Sequence, residues 1–177
     1  NIVLQYRIND NSQLNAGISA TAQNTRNYKE VNDLMGGEFY IDWDKFADQD
    51  FPGNEDALQN DLRRPNRILN EGDQFGYDYY SRIRQEALWA SYSVNLTKWE
   101  MGLAGSVKNH TYWRDGQTQN GKFPNNSYGE SAKNNFLLPS GKALIRYKLD
   151  GRNYLTVSGM YAQMAPSFDN AYISVRT

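Results

Sequence analysis

An all-β chain is expected from these residues, folded as the antiparallel up-and-down sheet of a transmembrane β-barrel. Three observations point there. Apolar and polar residues alternate over several runs, the period of a strand with two unlike faces. The connections between those runs are short, then long, in regular alternation. No stretch is apolar over the length of a membrane-spanning helix, although the chain holds 13 tyrosines and 4 tryptophans at a mean hydropathy of -0.81. Strands that carry their hydrophobicity only at alternate positions produce that profile.

The clearest element is a hairpin over residues 88–107. Leu88, Ala90, Tyr92, Val94 and Leu96 share one face against Trp89, Ser91, Ser93 and Asn95. After Thr97-Lys98, Trp99, Met101, Leu103, Gly105 and Val107 continue the apolar side, opposite Glu100, Gly102, Ala104, Ser106, Lys108 and His110. An earlier hairpin pairs Ile2, Leu4, Tyr6 and Ile8 with Leu14, Ala16, Ile18, Ala20 and Ala22 across the turn residues Asn9-Asp10-Asn11-Ser12. From about Asn27 to Gln74 no period of two persists, and only residues 55–64 suggest a helical turn or two. The alternation resumes at Tyr77 in a charged stretch that runs into Leu88 and is expected to stand in water. A second polar interval covers roughly 114–135. Then Ala143, Ile145, Tyr147 and Leu149 alternate with Lys142, Leu144, Arg146 and Lys148. Asp150-Gly151 suits the left-handed positions of a tight turn, and Leu155, Val157, Gly159 and Tyr161 form the last apolar run before Ala165-Pro166.

In an up-and-down sheet, alternate connections fall at opposite ends. The rhythm short, long, short, long, short therefore puts all tight turns at one end and all long loops at the other, as in outer-membrane barrels. Alternation alone does not say whether lipid or a dry protein interior covers the apolar face, because a lipocalin-like barrel shows the same pattern inside out. Lipid is favoured by the polar positions, rich in Lys, Arg, Glu, Gly, Ser and Asn as a wet lumen would be, and by Tyr6, Trp99 and Tyr147 beside short turns, where an interfacial girdle would lie. About six strands are too few to close such a barrel, and open edges in lipid are prohibitively costly. The chain is thus expected to be a piece of a larger whole, as its start within a strand, without a methionine or signal peptide, also suggests.

With 177 residues, a net charge of -1 and no cysteine, the chain offers no basic surface for nucleic acid and neither disulfides nor thiolate metal sites.

The order of several segments adds a family to this reading. Gly72-Asp73-Gln74-Phe75, Tyr77-Asp78-Tyr79, Tyr128-Gly129-Glu130-Ser131, Gly141-Lys142-Ala143, Tyr147-Lys148-Leu149-Asp150-Gly151-Arg152-Asn153-Tyr154-Leu155, Gly159-Met160-Tyr161 and Ala165-Pro166-Ser167-Phe168-Asp169-Asn170-Ala171-Tyr172-Ile173-Ser174 together resemble a barrel segment of TonB-dependent receptors. The likeness covers roughly residues 70–177, and the earlier part only by its rhythm. It implies a 22-stranded barrel in the outer membrane of a Gram-negative bacterium, with an N-terminal plug that nothing in this sequence resembles. It also implies import of a scarce ligand powered by the TonB complex through parts of the protein outside this chain, with outer-membrane lipid, and in some members a surface lipoprotein, as partners. Residues 1–177 would be one part of that barrel, with external loops near 27–76 and 114–135. A non-transporting outer-membrane barrel, acting as adhesin or structural protein, and a soluble ligand-binding β-barrel are the alternatives.

No catalytic constellation is written here. The lone His110 lacks a nucleophile and an orienting carboxylate in its pattern and reads as a solvated histidine of the polar face. The acidic run Asp42, Asp44, Asp48, Asp50 and Asp56 does not make an EF-hand, since Phe46, Ala47 and Gly53 stand where an oxygen ligand, glycine and glutamate belong. No metal or cofactor is expected. The long loops carry the aromatics Tyr40, Trp43, Phe46, Tyr112, Trp113 and Tyr128, candidates for a platform under a sugar ring or an aromatic ligand. Packing of the loops on themselves is the competing role for each.

Overall fold

The computed structural model describes residues 1–172 and 174. In chain order its strands are β1 (Ile2–Asn9), β2 (Ser12–Glu30), β3 (Tyr40–Ile41), β4 (Ile68–Leu69), β5 (Gln74–Asn95), β6 (Trp99–Gly116), β7 (Gly129–Glu130), β8 (Asn134–Lys148) and β9 (Tyr154–Ala162). Helical structure among the described residues amounts to α1 (Ala47–Asp50) and short 3-10 turns at Asp56–Leu58 and Phe168–Asn170. The long strands form one antiparallel sheet in the order β1-β2-β5-β6-β8-β9, with β7 added against β6 and β3 paired separately with β4. Each long strand thus lies beside its neighbour in the chain, and the sheet is open, with β1 and β9 as its edges.

The strands outrun the sequence pattern. β2 continues to Glu30, where both faces turn polar, and β6 to Gly116, where the successive aromatics Tyr112 and Trp113 break the alternation. β8 begins at Asn134, eight positions before the alternation at Lys142 becomes legible, because Pro139 and Gly141 interrupt it. Pro139 is tolerated for a reason of register. The backbone N–H and C=O of one antiparallel residue point the same way, and the Pro139 carbonyl accepts from the Gln163 N–H at 3.1 Å. The last ladder partner in β9 is Ala162, opposite Ser140, so the missing donor falls where the ladder has already ended.

The chain divides into two compact units. The first comprises Asn1–Ala22, Arg84–Thr111 and Asn135–Pro166 and holds the three tight turns. In β1 and β2, Ile2 faces Ile18, Leu4 faces Ala16 and Tyr6 faces Leu14, as the alternation requires. Neighbouring hairpins join through Asn95 N–H to the Asn11 carbonyl (2.7 Å) and Lys148 N–H to the Lys98 carbonyl (2.9 Å). The turn after β8 differs from expectation. Gly151 keeps a negative φ, and the Asp150 carboxylate holds the loop instead, accepting from the backbone N–H groups of Arg152 and Asn153 at 2.7 Å each. A five-residue connection leaves room for this side-chain cap, which a two-residue turn would not.

In this unit several large apolar side chains are exposed while some residues of the polar face are partly covered. Leu88, Leu103, Leu137 and Val157 are 61, 64, 68 and 66 % exposed, while Trp89, Glu100, Ser106 and Arg146 on the opposite face are half-buried. The polar face is sheltered by its own bonds. Glu100 receives Arg146 Nη1 at 2.7 Å and Lys148 Nζ at 3.0 Å, the Ser106 and Ser140 hydroxyls meet at 2.7 Å, and the Trp89 indole covers Gly17.

The second unit comprises Gln23–Ile83, Tyr112–Asn134 and the segment from Ser167. Among the described residues, every buried apolar side chain belongs to it: Val31, Ala47, Ala57, Leu69, Tyr79, Tyr112 and Trp113. Its two long connections fold as one body. Leu62 N–H donates to the Gln119 carbonyl (2.7 Å), Gly121 N–H to the Gln59 carbonyl (2.9 Å), and Lys122 pairs with Asp44 at 2.9 Å. Gly121 passes so close to the Asp56 carbonyl that a Cβ there would have no room, so the crossing of these loops depends on a residue without a side chain.

Candidate binding site

Three of the six loop aromatics come together. Tyr40 on β3, Trp43 just after it and Phe46 before α1 line a cavity of about 350 Å³ in the second unit, with Lys29, Asp44, Lys45, Asn60, Phe75 and Tyr77. Pairing of Tyr40 with Leu69 and of Trp43 with Gln59 sets the backbone of this segment. The rings are then fixed by polar and edge contacts. Trp43 Nε1 donates to Asn66 Oδ1 at 3.0 Å, and the Tyr40 ring meets Phe75 edge-on at 6.0 Å between centroids. Trp43 stays 38 % and Phe46 74 % exposed, so their faces are open to a ligand.

The other three lie elsewhere, and Tyr112 and Trp113 belong to strand β6 rather than to a loop, because β6 runs on to Gly116. Tyr112 and Trp113 are buried: Tyr112 packs edge-on against Phe168 at 5.8 Å, and Lys133 sits over the Trp113 ring at 4.8 Å. Burial pushes the Tyr112 phenol above its ordinary range, with Tyr172 adding to the shift, which keeps it neutral. Both residues hold the unit together. Tyr128 is exposed beneath the Arg63 guanidinium, 4.4 Å from the ring centroid, outside the cavity.

Sequence reasoning missed Lys29, Lys45, Phe75 and Tyr77. Lys29 ends a strand whose alternation stops well before it, and its Nζ lies 5.5 Å from the Phe75 centroid and 5.3 Å from that of Tyr77. Lys45 Nζ lies 5.1 Å from the Tyr40 centroid. The adjacency of Lys45 to Trp43 was the one local hint.

Of the acidic run, Asp48, Asp50 and Asp56 are exposed and Asp42 is built into the scaffold. Asp42 is buried and accepts from Asn60 Nδ2 and Gly76 N–H, each at 2.9 Å. Asp61, also buried, accepts from Arg64 Nε at 3.0 Å and from the Gln119 N–H at 3.2 Å. Among the described residues no three His, Asp or Glu side chains converge as a metal would require. His110, in the first unit, takes a 2.8 Å hydrogen bond on Nδ1 from the Gln85 amide. Burial, and then the charge of Lys108, hold its pKa below the ordinary histidine value.

Comparison with protein-family models, with curated proteins and with solved structures finds no match.

Proposed function

We propose that the chain is part of the wall of a transmembrane β-barrel in the outer membrane of a Gram-negative bacterium, and that the protein is a TonB-dependent receptor importing a scarce ligand caught by its external loops. One observation carries the barrel: the first unit leaves Leu88, Leu103, Leu137 and Val157 exposed and shelters Glu100, Arg146 and Lys148. Leaving a large aliphatic side chain in water forgoes about 1.5–3 kcal/mol each, a loss that hydrocarbon contact removes. The length of the apolar band agrees. On β6 it runs from Trp99 to Val107, nine positions, where a tilted spanning strand needs about 9–11 residues. Trp99 and Tyr147, with ring centroids 4.7 Å apart beside the tight turns, suit the headgroup boundary. The edges β1 and β9 would be satisfied by further strands, since lipid offers no hydrogen-bond partner. The receptor assignment rests on the resemblance of residues 70–177 and on the folded, aromatic-lined loop body.

This chain holds no cysteine, so each label introduced into it has one site within residues 1–177. Leu103→Cys, Val157→Cys and Ser106→Cys are spin-labelled singly in outer-membrane vesicles and their collisions with oxygen and with a water-soluble nickel chelate compared. Labels at positions 103 and 157 should favour oxygen, and the label at 106 the chelate. Equal chelate access at all three would remove the bilayer from the account.

A further inference from the structure

We infer that the Tyr40–Trp43 cavity binds a ring-bearing anion, with the negative group between the Lys29 and Lys45 ammonium groups and the ring against the aromatic wall. The inference rests on reading the loops as a ligand-binding body; it does not depend on what covers the apolar face of the first unit.

Charge accounting within the second unit carries the argument. Lys122, outside the lining, pairs with the lining residue Asp44 at 2.9 Å and lies 3.7 Å from Asp50. Lys29 and Lys45 have no carboxylate within 4.0 Å among the described residues. Each lies over aromatic rings instead, Lys29 over Phe75 and Tyr77 and Lys45 over Tyr40. A ring quadrupole attracts an ammonium group but leaves its charge unneutralised. The one acid of the lining, Asp44, is the partner of Lys122, and the neighbouring Asp42 is turned to Asn60 and Gly76. The lining therefore presents two positive charges and no free negative one.

The rest of the wall selects a ring. Trp43 is pinned by Asn66 and by its bridge to Gln59, and Tyr40 by Phe75, so the faces are pre-organised and cost little to order on binding. The volume of about 350 Å³ falls at the small end of ligand sites, which suits one or two rings. A carboxylated sugar and an aryl carboxylate share this chemistry.

The test is titration calorimetry on detergent-purified protein with trigalacturonate, with the neutral galactose trimer and with benzoate. Trigalacturonate or benzoate should bind, more weakly as salt rises. Lys29→Gln and Lys45→Gln should each weaken that binding about tenfold or more, the usual loss when a charged hydrogen-bond partner is removed, and Trp43→Ala should weaken it as well. An unchanged thermal transition in the lysine variants shows that the fold persists. Whichever anion binds more tightly identifies the source. Neutral trimer binding as well as the anions, anion binding that survives the Lys29→Gln/Lys45→Gln double variant, or no anion binding at millimolar concentration overturns the inference. The spin-label result at residues 103 and 157 stands apart from all of these, so the membrane reading fails or holds on its own.

Discussion

Single side chains decide how the polar face is packed. Gly17 sits where a Cβ would come within 2.7–2.8 Å of the Trp89 indole, and a ring that size moves only by leaving its rotamer. Gly17→Ala is expected to cost about 1–3 kcal/mol, as overpacking does, in a urea titration. The penalty should shrink in a Trp89→Ala background, and independent effects of the two changes would show that the contact is not the cause. Asp150 offers a second test. The Asn153 amide, then the N–H groups of Arg152 and Asn153, hold its carboxyl below the ordinary range. A depressed carboxylate stabilises the folded state above its unfolded pKa and loses that contribution as pH falls through the folded value. The unfolding midpoint should therefore drop on acidification below about pH 4, the ordinary carboxylate value, with less drop in Asp150→Asn. Identical pH profiles would make the cap irrelevant. The Asp-Gly pair announced a turn, but the way that turn is held depends on a carboxylate folding back over its own loop, which dipeptide preferences do not encode.

Strands carry the argument for two unlike environments. On β6, Leu103 is exposed on the apolar face and Ser106 half-buried on the other. Leu103→Arg should cost about 2–4 kcal/mol if the position lies near the bilayer midplane. Ser106→Arg forfeits the hydroxyl pair with Ser140, about 1 kcal/mol. Equal losses on refolding into vesicles would refute the assigned faces. Beyond the apolar band the same strands continue on a different basis. Arg26 grips Asp78 through Nε at 2.9 Å and Nη2 at 2.6 Å, and that bond holds the guanidinium above its usual pKa. Arg82 meets Asp115 at 2.5 Å. These ion pairs across strands sustain β2, β5 and β6 where period-two hydropathy has stopped, which explains why the pattern located the strands and their order but misjudged their ends.

The sheet is open among the described residues. Both edge strands are exposed along their length, and the first unit has no buried apolar side chain among the described residues. Such edges are templates for pairing. Expressed alone without detergent, these residues should self-associate, and Leu4→Lys with Val157→Lys should reduce the association in light scattering. A monodisperse wild-type monomer at high concentration would mean that the apolar face needs no cover.

Strand existence, strand order and the two faces were legible because alternation is local: each side chain's side follows from its neighbour's. The loop body was not. Tyr40, Trp43 and Phe46 share a cavity while Tyr112 and Trp113, near the end of β6, are buried, yet nothing in the residue types separates the two groups. Which of them meets solvent, and which lysines join them, is decided by contacts between residues far apart in the chain, such as Gly76 with Asp42 and Gly121 with Gln59. Those contacts exist only once the chain has folded, since long-range packing and hydrogen-bond satisfaction leave no periodic trace in the order of residues.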